Sequence, residues 1–242
     1  MSLSNPTTTT NPASKFIEWK GGEGKFSFYN KETKENVDMP KEMYIIVLDQ
    51  LVTITGFSEP DNSGIWSNEV KYSTTEELIV KTKSGEIAKG LYKDIKDKIK
   101  VSGGNFAKSV YACLIIPQED GQKPKLELVN FKFAGSSLSP WIDVKATDDG
   151  SVIKLSTNDV ELKKGASKYF APTIQKLTPR QDILELAVSL DRDLQKYLTN
   201  KNSNILVEQE ATTYYSDNVP ATDIDDINIE EELDKISTQM PF

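Results

Sequence analysis

MYIIVLDQLVTITGF, residues 43–57, is the longest apolar run of the chain, and its reading decides the fold. Ile, Val and Thr are enriched in it, and β-branched side chains pack better on a pleated surface than in a helix. The run predicts strand, either one long bent strand or two joined by a bulge.

The flanks carry the same signal. Upstream, Phe16, Ile17 and Trp19 precede the turn Gly21-Gly-Glu-Gly24, and residues 25–29 (KFSFY) alternate with period two. A phosphate-loop reading of residues 21–25 fails, because the Gly-x4-Gly-Lys-Ser/Thr spacing is missing and no helix follows. Downstream, residues 59–64 are a loop and 65–72 a strand; 78–83 and 86–92 form a hairpin around Ser84-Gly85. A short helix is expected over 93–100. After Gly103-Gly104, residues 105–116 are apolar on both faces and read as a central strand. Strand 126–133, a helical turn over 137–145, a hairpin of 152–156 with 160–163, and a last strand from Tyr169 complete the β part.

One long helix follows. Thr178 suits the N-cap, Pro179 the first helical position, and Gln181 completes a capping box. Ile183, Ala187, Leu190, Leu194 and Tyr197 form an apolar stripe, widened by Leu184, Val188 and Leu198. The stripe fits docking on the β domain, and it equally fits a homodimer. The expectation is a mainly β chain: a small barrel with extra hairpins and one long C-terminal helix, although periodicity alone would serve a sandwich as well. The domain sequence is a disordered arm (1–14), the β domain (15–177), the helix (178–200), a flexible linker (201–222) and an acidic tail (223–242).

Composition removes several chemistries. The chain has no His and one Cys, Cys113, set in an apolar run. Zinc sites of the Cys/His kind and His-based triads are therefore absent. Asp148-Asp149-Gly150 and Asp223–Asp226 lack the spacing of a calcium loop. No catalytic residue, metal or cofactor is expected. The N-terminus has no signal-peptide pattern, and no apolar run is long enough to span a bilayer. Residues 1–207 hold 28 Lys+Arg against 27 Asp+Glu, while 208–242 hold one Lys against ten acids, so the net −8 resides in the tail.

That tail reads DNVPATDIDDINIEEELDKISTQMPF from Asp217 to Phe242. Dense like charge stays solvated and cannot nucleate a core. An apolar tip on such a tether suits capture by a partner's pocket. An acidic tail closing on Pro241-Phe242 resembles those of bacterial and phage single-stranded DNA-binding proteins, with Met240 where the bacterial tails usually carry Ile. The resemblance covers roughly the last twenty residues. It implies an OB-fold body and sequence-neutral binding of single-stranded DNA in replication, recombination or repair, in the cytoplasm (the host's, for a phage protein). It also implies a tail that recruits partners such as a polymerase, helicase or primase and competes with DNA. Asp223, Asp225, Asp226, Glu230, Glu231, Glu232, Asp234, Pro241 and Phe242 would carry the partner contacts.

The body supplies candidates for the strand itself. Aromatic platforms in a basic groove hold single strands without reading sequence. Trp19, Phe28, Trp66, Tyr72 and Phe106 are the candidate platforms, with Lys25, Lys71, Lys81, Lys83 and Lys89 as phosphate contacts. Core packing is the competing role for each aromatic, and Trp66 and Tyr72 have the most polar neighbours. Residues 81–100 hold seven lysines against three acids, with a smaller cluster at Lys163, Lys164 and Lys168. Arg180 and Arg192 are the only arginines, which speaks against bidentate base readout. The alternative class is a β-rich viral structural or assembly protein that does not bind nucleic acid, to which an acidic Pro-Phe tip and lysine-flanked aromatics would be unnecessary.

Overall fold

The computed structural model describes residues 10–118, 122–146, 150–178 and 181–203. The apolar run forms one strand, β4 (Glu42–Ser58), antiparallel to β8 (Gly104–Ile116) over most of its length. The register shifts between Val47 and Asp49, which makes Leu48 a bulge. An inserted residue bends its strand and changes which positions face inward. Met43, Ile45 and Val47 enter one core, while Val52 and Ile54 enter a second core on the same face. On the opposite face, Ile46 and Leu51 lie under the C-terminal helix.

β1 (Phe16–Lys20), β2 (Lys25–Asn30) and β3 (Glu35–Asp38) form an antiparallel meander. β1 also runs parallel to β9 (Lys125–Ala134), which pairs antiparallel with β8. The other edge of β4 is shared. β10 (Val152–Ser156) takes Glu42–Ile46 and carries β13 (Thr173–Lys176) on its far side. β5 (Ser63–Ser67) takes Thr55–Ser58 and leads to β6 (Leu78–Thr82) and β7 (Gly85–Gly90). The strand order is β3-β2-β1-β9-β8-β4-β5-β6-β7.

The chain is thus mainly β, but no closed barrel forms among the described residues. β9 gives its outer edge to β1, and β6 gives its outer edge to β7. The extra hairpins therefore occupy edges that would otherwise be open to closure.

Among the described residues three α-helices cover the sheet. α1 (Tyr92–Val101) buries Ile95 and Ile99 in the second core. Its exit at Gly103 (φ 88°) runs against the end of β4, where a Cβ on Gly56 would stand 2.2 Å from the Gly103 carbonyl oxygen. That contact explains the paired glycines. α2 (Leu138–Asp143) joins the cores, with Leu138 in the second and Trp141 in the first. Trp141 stacks on Phe133 at 4.2 Å, and its indole N–H donates to Gln50 Oε1 at 3.0 Å. α3 (Gln181–Ser203) lays Ile183, Ala187, Leu194, Tyr197 and Leu198 on the back of β4, β8 and β9. Among the described residues no helix is long and apolar enough to cross a membrane.

Four local expectations are corrected. The hairpin of 152–156 with 160–163 does not form. Instead β11 (Leu162–Lys164) pairs with β12 (Ser167–Tyr169) as a separate ribbon, because Gly165 at φ 59° permits the tight turn. The strand expected over 65–72 ends at Ser67. There the side chain of Asn68 replaces the ladder, accepting from Ile79 N at 2.7 Å and donating to Glu77 O at 3.0 Å. β3 gave no sequence signal, since its residues are all exposed. Finally, residues 11–14 lie against the sheet: Ala13 is buried, Ser14 N donates to Leu128 O at 2.9 Å, and Asn11 Nδ2 to Tyr111 OH at 3.2 Å. Residues 1–9, the linker from 204 and the whole acidic tail lie outside the described residues.

Candidate nucleic-acid interface

Strand alternation sorts the candidates. In β5–β7, Ile65, Leu78, Val80 and Ala88 fill the second core, so the residues between them face away from it. On that outward face, register places Trp66 between Thr55 of β4 and Lys81 of β6. Thr55 in turn lies opposite Asn105 of β8, and Lys81 opposite Glu86 of β7. Neighbouring strands are about 4.8 Å apart, so Trp66 and Lys81 are direct cross-strand neighbours. Trp66 is half-buried, while Lys81, Lys83 and Lys89 are exposed. Lys83 sits on the β6–β7 turn. Lys89 lies opposite Ile79, with Glu77 at 3.7 Å. Lys81 and Lys83 have no ion-pair partner among the described residues. An aromatic ring resting on a sheet with unpaired ammonium groups at its margin offers a stacking surface and phosphate contacts together.

Lys71 and Tyr72 lie on the loop beyond this face. Tyr72 is 42 % exposed, and its backbone N–H donates to Glu76 Oε1 at 2.9 Å. The ammonium of Lys71 is bound by Asp49.

The other candidates are placed elsewhere. Trp19 is buried in the first core, edge-on to Phe26 at 4.8 Å, with its N–H donating to Phe170 O at 3.0 Å. Phe106 is buried in the second core, edge-on to Tyr92 at 4.9 Å. Both rings are enclosed and have no face to offer a base. Phe28 packs against the first core, with Lys15 Nζ 5.5 Å above its ring. Lys25 is held between Glu23 at 2.6 Å and Asp38 at 3.0 Å, which raises its pKa, the Glu23 bond most. The structure therefore gathers Trp66, Lys81, Lys83 and Lys89, places Lys71 and Tyr72 on the adjoining loop, and separates Trp19, Lys25, Phe28 and Phe106 from them. The partner-binding candidates Asp223, Asp225, Asp226, Glu230, Glu231, Glu232, Asp234, Pro241 and Phe242 lie outside the described residues.

Two charged residues escaped the sequence reading. Glu69 is largely buried between the sheet and α3. It accepts from Ser109 Oγ, from Tyr111 OH at 3.0 Å and from Lys201 Nζ at 2.8 Å. Burial opposes its ionisation, but the Lys201 charge and these donors hold its pKa below the usual carboxylate range. Lys108 is the single charge within β8, and no hydrogen bond or ion pair meets its ammonium among the described residues. A lone lysine in a strand apolar on both faces was the available signal. Cys113 is fully buried, and burial pushes its thiol up to about 12, so it is not a nucleophile.

No family model, curated protein or solved structure matches this chain.

Proposed function

We propose that the chain binds single-stranded DNA with little sequence preference, through the outward face of β5–β7. The observation that carries this is the register that sets half-buried Trp66 beside unpaired Lys81, with Lys83 and Lys89 at the margin. Stacking and phosphate contacts are the two interactions that hold single strands without reading bases. The strand order supports an OB-type body. Taking β4, β5, β6, β8 and β9 as strands one to five, the order β9-β8-β4-β5-β6 is 5-4-1-2-3, and α1 falls between the third and fourth. The face of strands two and three is where OB folds take oligonucleotides, and here it carries Trp66 and Lys81. The acidic residues from Asp223 to Asp234 then act as a phosphate-like competitor, and Pro241 and Phe242 as the anchor for a replication or repair partner.

Titration of labelled oligo-dT and of a matched duplex tests the reading. Binding to the single strand should be much tighter. Trp66→Ala should cost about 1–3 kcal/mol of that binding with an almost unchanged melting temperature. Trp19→Ala should instead cost about 3–5 kcal/mol of stability, as a core tryptophan does. A chain ending at Ser216 should bind tighter at low salt, because exposed charge is screened as salt rises. Equal affinity for duplex and single strand would defeat the reading. Unchanged low-salt affinity of the shortened chain would remove the tail's competing role.

A further inference from the structure

The outward face of β5–β7 continues across the end of β4. There Val52 and Ile54 point into the second core, so Thr53, Thr55 and Phe57 point away from it. Register sets Phe57 opposite Gly64 and Thr55 opposite Trp66, which puts both rings on one face. Phe57 and Trp66 are therefore diagonal neighbours on adjacent strands, about 7–8 Å apart. Ile79 takes the matching diagonal position on β6, two residues before Lys81. Phe57, Trp66 and Ile79 are all half-buried, yet none of them packs on an apolar core formed by the described residues.

Glycines stand on both sides of Phe57. Gly64 faces it from β5. On the other side, Gly104 pairs with Gly56, and a Cβ on Gly103 would stand 2.3 Å from the Phe57 carbonyl oxygen. Neither neighbouring position carries a side chain that could lie beside the ring. An apolar row outside every core leaves apolar surface in water, and a planar ligand would remove it. Lys81 and Lys83 border the row without ion-pair partners among the described residues, which favours a ligand with negative charge beside its rings. Spacing adds a condition. Successive bases of a duplex strand rise by about 3.4 Å. Rings about 7–8 Å apart can each stack on neighbouring bases only when those bases are drawn apart, as a single strand permits.

We propose that Phe57 is a second stacking platform, and that Phe57 and Trp66 hold two successive, unstacked bases of one single strand. The proposal rests on the single-strand reading above and deepens it, adding the second base contact and the strand form that the face accepts.

The test is oligo-dT titration across a salt series with the full chain, Phe57→Leu, Phe57→Trp, Trp66→Ala and Lys81→Met, alongside thermal melts. Phe57→Leu keeps apolar bulk and removes the π-face. It should weaken binding about tenfold, within the range for one stacked base, with an almost unchanged melting temperature. Its salt slope should equal that of the full chain, because no phosphate contact is lost, whereas Lys81→Met should reduce the slope by about 0.7. Phe57→Trp should restore the affinity. If Trp66→Ala weakens binding while Phe57→Leu binds as the full chain does, the inference fails and the single-strand reading stands. A full chain that does not bind oligo-dT overturns both. Weaker binding with a matching loss of melting temperature, not restored by Phe57→Trp, makes Phe57 a packing residue and overturns the contact. The same titration with the chain ending at Ser216 separates a base from the chain's own tail. If Phe57→Leu tightens binding in the full chain and has no effect in the shortened one, the ring holds the tail and the inference fails.

Discussion

Glu69 and Lys201 meet where the loop after β5 passes beneath the last turn of α3. Each is under a fifth exposed, at 15 % and 18 % of the side chain. The pair fastens the helix end to the sheet, and Asn130 Nδ2 extends the network by donating to Ser109 Oγ at 2.8 Å. Removing one partner of such a pair costs about 3–5 kcal/mol, because the other charge is left uncompensated. The pH dependence has a definite sign. With Lys201 in place the Glu69 pKa is depressed, so its contribution is present above the unfolded carboxylate value of about 4.3 and is lost as pH falls through the folded value. In Lys201→Met, burial dominates and raises the Glu69 pKa, so protonation relieves the variant as pH falls. Urea unfolding at pH 7, 5.5 and 4 should show the stability gap between the two proteins narrowing with acid, and a constant gap would reject the ionised pair. Neither residue could be matched to the other from sequence. They are separated by 132 positions, and a carboxylate in the polar segment after Trp66 reads as exposed.

At the scale of elements, β4 was the most legible part because both of its faces are covered. Buried β-branched residues on consecutive positions leave few alternatives to a central strand; of the two expected forms the single strand is the one present, and it carries the bulge expected of the other. The α3 stripe was legible for a related reason: a period near 3.6 survives wherever one helix face is buried. Elements without a buried face gave no pattern, which is why β3 was missed and the β11–β12 ribbon was misjoined. Leu48 offers a direct test of the bulge. Deleting it would force one half of β4 to present Met43, Ile45 and Val47, or Val52 and Ile54, to the wrong face. The deleted chain should lose its cooperative unfolding transition, whereas Leu48→Ala, which keeps the residue count, should retain one. A cooperative, near-native melt from the deletion would show that the register is not fixed there.

For the whole molecule, sequence gave the β-rich body and the separation of charge, but not which aromatics were free to act. Trp19 and Trp66 both sit in strands beside polar neighbours. Only the pairing order shows that Trp19 faces a core closed by Phe26 and Phe170, while Trp66 faces outward beside Lys81. Alternation assigns residues to two faces and does not say which face is covered. That depends on where β1–β3, α2 and α3 come to rest. Photocrosslinking tests whether the outward face of β5–β7 holds the strand. An oligonucleotide carrying 5-iodouracil is bound to the full chain, irradiated and digested, and the attached peptides are identified. Attachment is expected at Trp66 or Tyr72, lost on competition with unlabelled oligo-dT. Attachment on β1–β2 around Phe28, with none on the segment 63–90, would contradict it.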